Sequence, residues 1–326
     1  MLLMFKIFDR NGPKTLPARM ANEKTNDPSL YIPSEGLMNA VNVAISLNQP
    51  LLLTGEPGTG KTELARHLAW FFGLGELITF NAQTNSQAKD LFYRYDALGH
   101  FQYSQTQKTM LSPDEVEERF IRYEGGLGEA IRAGTPRVVL LDEIDKAPRD
   151  LPNDILSALE KLRFEVPEVG KQYPADGKPL AAGLRPLIVL TSNSEKLLPE
   201  AFLRRVVYYN IVFPGPDELL TILQKKAPRP GADTKGLSDD DLKAIIKHFN
   251  LLRDEKTLKL KKKPATAELI FWAELLHKME FQIQKLPQSK EDFEDLEMAN
   301  KPNLVISYAV LAKTKDDHDA LRKLIY

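Results

Sequence analysis

The chain contains no cysteine, which excludes disulfides, thiolate metal sites and a thiol nucleophile, and fits a reducing compartment. It has no excess of either charge. Lys and Arg number 44 against 45 Asp and Glu, a formal net charge of -1, so no global pull toward nucleic acid or an anionic membrane follows. No apolar run approaches the ~20 residues that a membrane-spanning helix requires. The opening stretch, "MLLMFKIFDRNG", meets Lys6 and Asp9 too early for a secretory h-region, and no small-residue cleavage site follows it. The expectation is a cytoplasmic protein without a membrane span. Histidine is sparse: His67, His100, His248, His277 and His318 show no i,i+4 pair or acidic cluster that reads as a metal site. They are expected in surface or packing roles. Tryptophan occurs twice, and Trp70 and Trp272 both sit in apolar helical patterns that place them in a core.

What is present is enough to build a large core. The chain has 326 residues, 43% hydrophobic and 27% charged, a length that suggests two domains or one domain with a substantial appendage. Residues 10–33 are rich in Pro, Asn and Lys and read as an irregular lead-in. A helix follows in "SEGLMNAVNVAISLN", with Leu37, Val41, Ala44 and Ile45 at helical spacing and Ser34 as its N-cap. Strands are expected in "PLLLTG", "LITFNA", "RVVLLD", "RPLIVLTSN" and "RVVYYNIVF". Residues 82–136 are less regular and read as helices with an insertion, and Ser112 with Glu115 reads as a capping box. Strands alternating with helices indicate a parallel sheet covered on both faces, and continuous apolar strands agree with that. After "FPGPDE" the pattern is helical with no convincing strand. The expected organisation is an irregular extension over 1–29, an α/β nucleotide-binding domain over 30–213, and an α-helical domain with a C-terminal tail over 214–326.

The motif that carries chemistry is "GEPGTGKT": Gly55, Glu56, Pro57, Gly58, Thr59, Gly60, Lys61 and Thr62. It satisfies the phosphate-loop spacing, with a strand before it and a helix after it. Glycines let backbone N–H groups turn toward phosphate oxygens, and the helix offers its N-terminal dipole. Lys61 reaches the β- and γ-phosphates, and the Thr62 hydroxyl ligates Mg²⁺. In "VVLLDEID", Asp142 and Glu143 emerge at the carboxyl end of an apolar strand, where open α/β sheets bind ligands. Asp142 is expected to hold Mg²⁺ through water, and Glu143 to polarise an attacking water. Asn193, at the tip of "LIVLTSN", is placed to contact a γ-phosphate or the water. Finally, "LPEAFLRRVVYY" carries Arg204 and Arg205, guanidinium groups that can fork onto phosphate oxygens.

In this order "LLLTGEPGTGKT", "VVLLDEIDKAP", "LIVLTSN" and "LPEAFLRR" resemble the AAA+ ATPases, and within them the MoxR-type branch, over roughly residues 30–280. The resemblance implies a three-layer αβα phosphate-loop NTPase core followed by a small α-helical lid. It implies ATP and Mg²⁺ as ligands, ring assembly that is usually hexameric, and ATP sites between neighbouring subunits. It also implies chaperone-like remodelling of a protein client, often with a partner carrying a von Willebrand factor A domain. Nucleic acid is not an expected partner. In such proteins the arginine after "LPEA" reaches the neighbour's site; Arg205 aligns with it, and Arg204 stands where the usual pattern has an acidic residue. An insertion and a β-hairpin are implied at "DLFYRYDALGHFQYSQ" and "FEVPEVGKQYPADGKPLAAGLRP". Phe101 and Tyr103 then either face a pore or partner, or pack locally. One departure lies in the helical domain, where "KKKPATAELIFW" has Ala267 at the position of an expected nucleotide-sensing arginine. Lys262 or Lys263 could substitute, or "KLKKK" is a solvated basic face. Two other functions stay open: an ATP-dependent switch or scaffold with little turnover, and a DNA-linked loader.

Overall fold

The computed structural model describes residues 27–106, 110–193, 198–230, 236–294, 296–298 and 300–326. Most of the expected N-terminal extension, and the opening stretch on which the leader reading rests, lie outside the described residues. The chain divides into two compact units. One comprises Pro33–Glu56 and Lys61–Val212; the other comprises, of the described residues, 27–32, Pro57–Gly60 and those from Phe213 to Tyr326.

The strands of the first unit are β1 (Leu51–Gly55), β2 (Ile78–Asn81), β3 (Arg94–Tyr95), β4 (Ile121–Arg122), β5 (Val138–Asp142), β6 (Phe164–Val166), β7 (Lys171–Tyr173), β8 (Leu187–Thr191) and β9 (Val207–Ile211). Five of them form one parallel sheet in the order β2-β5-β8-β1-β9. These are the five apolar stretches expected as strands. Leu51, Leu52 and Leu53 on β1, and Val138 through Leu141 on β5, are all fully buried. Successive strand side chains point to opposite faces, so both faces of the sheet are covered. The registers place Leu53 beside Thr191 and Leu141 beside Leu190, which brings the carboxyl ends of β1, β8 and β5 side by side.

The helix Glu35–Leu47 starts where Ser34 Oγ accepts from the Leu37 N–H at 3.3 Å. It buries Leu37, Val41 and Ala44, but Ile45 is exposed, one residue and about 100° further round the helix from Ala44. The helix Lys61–Phe71 buries Leu64, Ala65, Leu68 and Ala69. Trp70 turns off that face and is 50% exposed, so the core placement expected for both tryptophans holds only for Trp272.

Between β2 and β5 lie the helices Ala97–Thr106, Pro113–Phe120 and Leu127–Arg132 and the antiparallel pair β3–β4. Ser112 and Glu115 form the expected capping box. β6 and β7 form an antiparallel hairpin within the stretch where one is implied. Its rings pack on the insertion: Phe164 stacks on Phe92 with centroids 5.0 Å apart, and Tyr173 meets Tyr123 edge-on at 5.6 Å. Glu117 ties the two together, accepting from Tyr123, Tyr173 and Lys171. Burial pushes the Glu117 carboxyl up, but these hydrogen bonds and the Lys171 charge outweigh it and bring it down to about 2. Tyr103 packs on Phe120 and under Arg119, which settles it as local packing, whereas Phe101 points outward.

The second unit holds the helices Pro216–Lys226, Asp239–Arg253, Thr266–Lys278, Lys301–Ser307 and Lys315–Ile325, with no strand among its described residues. The basic run is tied to acids of the same unit: Lys261 pairs with Asp316, and Lys263 pairs with Glu255 at 2.8 Å. Its core is centred on Trp272, Tyr308 and His248, all buried. Because the Pro287 carbonyl can only accept, His248 Nδ1 carries the proton, and Nε2 accepts from the Tyr308 hydroxyl at 2.7 Å. Burial holds this imidazole neutral and lowers it to about 4. Since the folded form resists protonation, its contribution is complete above the unfolded value near 6.5 and is lost as pH falls toward 4, about 3 kcal/mol in all. Urea unfolding followed through Trp272, which stacks on His248, is expected to show the midpoint falling over this window. In His248→Gln that fall is expected to be shallower.

Candidate functional site

The chain leaves β1 through a loop whose shape needs glycine. Gly55, Gly58 and Gly60 have φ of +139°, +77° and +90°, a region that side chains with a Cβ rarely adopt. The helix starting at Lys61 follows at once, so its first N–H groups close the turn. Lys61 is buried, and its ammonium donates to the Gly55 carbonyl (2.8 Å), the Glu56 carbonyl (3.1 Å) and Asn193 Oδ1 (3.1 Å). Its three protons are thus directed at two carbonyls of the loop and one side chain. Burial lowers the Lys61 ammonium from its ordinary value, against the attraction of Asp145, Asp142 and Glu143. An anion offers such an ammonium a stronger, charge-assisted partner than the neutral carbonyls do.

Within the second unit, a Cβ on Gly58 would meet the Ala265 Cβ at 2.8 Å and the Ala267 Cβ at 3.9 Å. Ala267, where the resemblance implies arginine, therefore presents only a methyl group to the loop tip.

Asp142 closes β5, and Glu143 follows in left-handed backbone, φ 55° and ψ 47°. Such a conformation is uncommon for a residue with a side chain and marks an elbow held by its surroundings. Here the holder is Thr191, whose Oγ1 accepts from the Glu143 N–H at 2.8 Å and donates to the Asp142 carboxylate. Thr62 Oγ1 stands 3.4 Å from both Asp142 oxygens. A hydroxyl and a carboxylate brought together are hard oxygen donors, the type that Mg²⁺ prefers, so Thr62 and Asp142 fit the ion expected from the sequence. Among the described residues no group of three or more His, Asp and Glu side chains could hold a metal. The Glu143 carboxylate pairs with Lys146 one turn on. Asn193 lies one strand over; besides meeting Lys61, its N–H reaches Asp145 Oδ1 at 3.3 Å. Sequence reasoning passed over Thr191 and Asp145. Both lie inside the quoted strand ends, but which residue faces which across β5 and β8 depends on register.

Arg204 and Arg205 follow the helix Glu200–Leu203. Arg205 Nε donates to Glu160 Oε1 at 2.8 Å and its Nη1 to the Ala201 carbonyl at 3.0 Å, so two elements orient it. Among the described residues Arg204 pairs with Glu200 of its own turn, and its side chain is 75% exposed. Among the described residues, the hydrogen bonds of Arg204 and Arg205 go to Glu200, Glu160 and Ala201 and not to those around Lys61.

A phosphate loop, an acidic strand end and an Asn-tipped strand end on one parallel sheet define a recognisable arrangement, and residues 50–206 match the family described as AAA domain (dynein-related subfamily). This core has the AAA+ fold. Among curated proteins, this chain is similar to the chaperone protein ClpB 1 of Nostoc sp., 33% identical over 122 residues that make up 36% of this chain and 12% of that protein. It is also similar to midasin of Dictyostelium discoideum, 24% identical over 141 residues, 42% of this chain and 2% of that protein. The chain thus spans a small part of the relatives it matches. Among solved structures, the Thermotoga maritima RuvB Holliday junction branch migration motor aligns at a TM-score of 0.48 and 14% identity, over 89% of this chain and 76% of that one. The FIGL-1 AAA domain in complex with ADP aligns at 0.42 and 16%, over 88% of this chain and 86% of that one. Among the described residues, no helix is long and apolar enough to cross a membrane.

Proposed function

We propose that the protein hydrolyses ATP and uses the cycle to remodel a protein partner, working as a ring of the MoxR type. The observation that carries this reading is the convergence of Lys61, Thr62, Asp142, Glu143 and Asn193 at the adjacent ends of β1, β5 and β8. In this reading the loop N–H groups and Lys61 hold the β- and γ-phosphates, while Thr62 and Asp142 hold Mg²⁺. The ion, when bound, neutralises charge on the phosphate oxygens. Glu143 takes a proton from the attacking water, and Asn193 positions that water or the γ-phosphate. Arg205, with Arg204 beside it, serves the site of the adjacent subunit, so assembly into a ring, with six subunits as the expected number, is a condition for turnover. The similarity to a protein named as a chaperone supports remodelling. A von Willebrand factor A domain partner belongs to the same proposal and rests on the resemblance alone.

The test is ATPase rate against protein concentration, with Lys61→Ala as the control. Specific activity is expected to rise with assembly and to be absent from the control. Full activity at dilutions where the protein is monomeric would remove the trans-acting arginine. A second reading, a nucleotide-dependent switch with little turnover, is favoured by one observation: Ala267 stands where the resemblance implies a nucleotide-sensing arginine.

A further inference from the structure

We propose that Thr191 is a positioning residue for the nucleotide site, setting both the Asp142 carboxylate and the Glu143 elbow through one hydroxyl; this rests on the ATPase reading above. The direction of its hydrogen bonds follows from chemistry. The Glu143 N–H can only donate, so Thr191 Oγ1 accepts there at 2.8 Å. The hydroxyl has one proton, and the carboxylate of Asp142 is the acceptor that receives it. One oxygen atom therefore fixes a side chain and a backbone amide that belong to the two residues with the most demanding roles. Thr62, the other hydroxyl near Asp142, stands off at 3.4 Å, so Thr191 is the closer hold on the carboxylate.

Packing makes the hold rigid. Thr191 is 1% exposed, closes β8, and lies beside Leu53 of β1 in the parallel register. Its β-branched side chain has few rotamers to choose from in such a place. Asn193 adds a parallel tie two residues on, from its N–H to Asp145 Oδ1, so the ends of β8 and β5 are clasped twice. Partners that orient a metal-binding carboxylate commonly alter metal affinity or activity by about 10–100-fold when removed.

The experiment compares wild type, Lys61→Ala, Thr191→Val, Thr191→Ala and Thr191→Ser. Binding of a fluorescent ATP analogue is measured with and without Mg²⁺, and hydrolysis is measured across a Mg²⁺ titration. Thr191→Val keeps the shape and removes the hydroxyl. Mg²⁺-free binding is expected to stay within about threefold, while the Mg²⁺ concentration at half-effect rises, or kcat falls, by about 10–100-fold. KM for ATP at saturating Mg²⁺ is expected to change little, and Thr191→Ser is expected to recover most of the loss. If Thr191→Val does not fold, Thr191→Ala against Thr191→Ser isolates the hydroxyl in the same way. Wild-type Mg²⁺ dependence and kcat in the hydroxyl-free variant would overturn the proposal, as would a Thr191→Ser variant as impaired as Thr191→Ala. A wild type that binds Mg²⁺-ATP without turnover sinks the ATPase reading alone, because the Mg²⁺ dependence of binding still judges Thr191. A wild type that binds no more nucleotide than Lys61→Ala sinks both.

Discussion

Arg205→Ala is expected to lower ATP turnover by about 10³-fold or more while leaving ATP affinity within about threefold, the scale on which a trans-acting arginine stabilises charge in phosphoryl transfer. Arg205 is the stronger candidate because its guanidinium is already oriented, by Glu160 on one side and the Ala201 carbonyl on the other. Less rotamer freedom then remains to be lost when it meets a phosphate. Arg204, in an exposed i,i+4 pair with Glu200, is expected to matter within about tenfold. The decisive measurement mixes two inactive variants. Lys61→Ala retains its arginines, and Arg205→Ala retains its phosphate loop. In an equal mixture about a quarter of head-to-tail interfaces bring an intact loop to an intact arginine. Activity is expected to return on mixing. No return on mixing, with both variants shown to assemble, would assign Arg205 a role within its own subunit or none.

Glu143→Gln is expected to lower kcat by about 10²–10⁴-fold, the range that general base catalysis supplies, with ATP binding retained. The substitution keeps the shape and removes the basicity together with the negative charge that pairs with Lys146. The elbow is held through the backbone N–H of Glu143 to Thr191 and so does not depend on the carboxylate. The variant therefore accumulates in the ATP-bound state, and partners that bind this state are expected to co-purify with it in ATP but not in ADP. Equal partner release by wild type and variant would favour the switch reading. Hydrolysis within threefold of wild type would remove Glu143 as the base, leaving the water to be activated by another group.

The five sheet strands and the phosphate loop were legible because both are local. A strand buried on both faces must be continuously apolar, and Leu51–Leu53 and Val138–Leu141 are. A loop that curls its N–H groups inward must place glycine at positive φ, as Gly58 and Gly60 do. The helix faces were legible less completely. Ile45 and Trp70 are apolar residues at the margin of a stripe, and a stripe has no sharp edge until the surface it packs on is known. The aromatic residues of the insertion were ambiguous for a related reason: Tyr103 and Phe101 are alike in sequence, and only the position of Phe120 separates a packed ring from an exposed one.

By itself, then, the amino-acid order determined the nucleotide-type loop, the carboxylates at the end of β5, the asparagine at the tip of β8 and the change from an α/β pattern to a helical one near residue 213. These follow from spacing along the chain and from the backbone freedom of particular residues. Only the tertiary structure decided that one hydroxyl, Thr191 Oγ1, joins Asp142 to Glu143, that Lys61 meets Asn193, and that Arg205 leans on Glu160. Each of these pairs residues at least 45 positions apart. Such contacts depend on strand order and register, and a one-residue slip of β8 against β5 would turn Thr191 to the other face of the sheet.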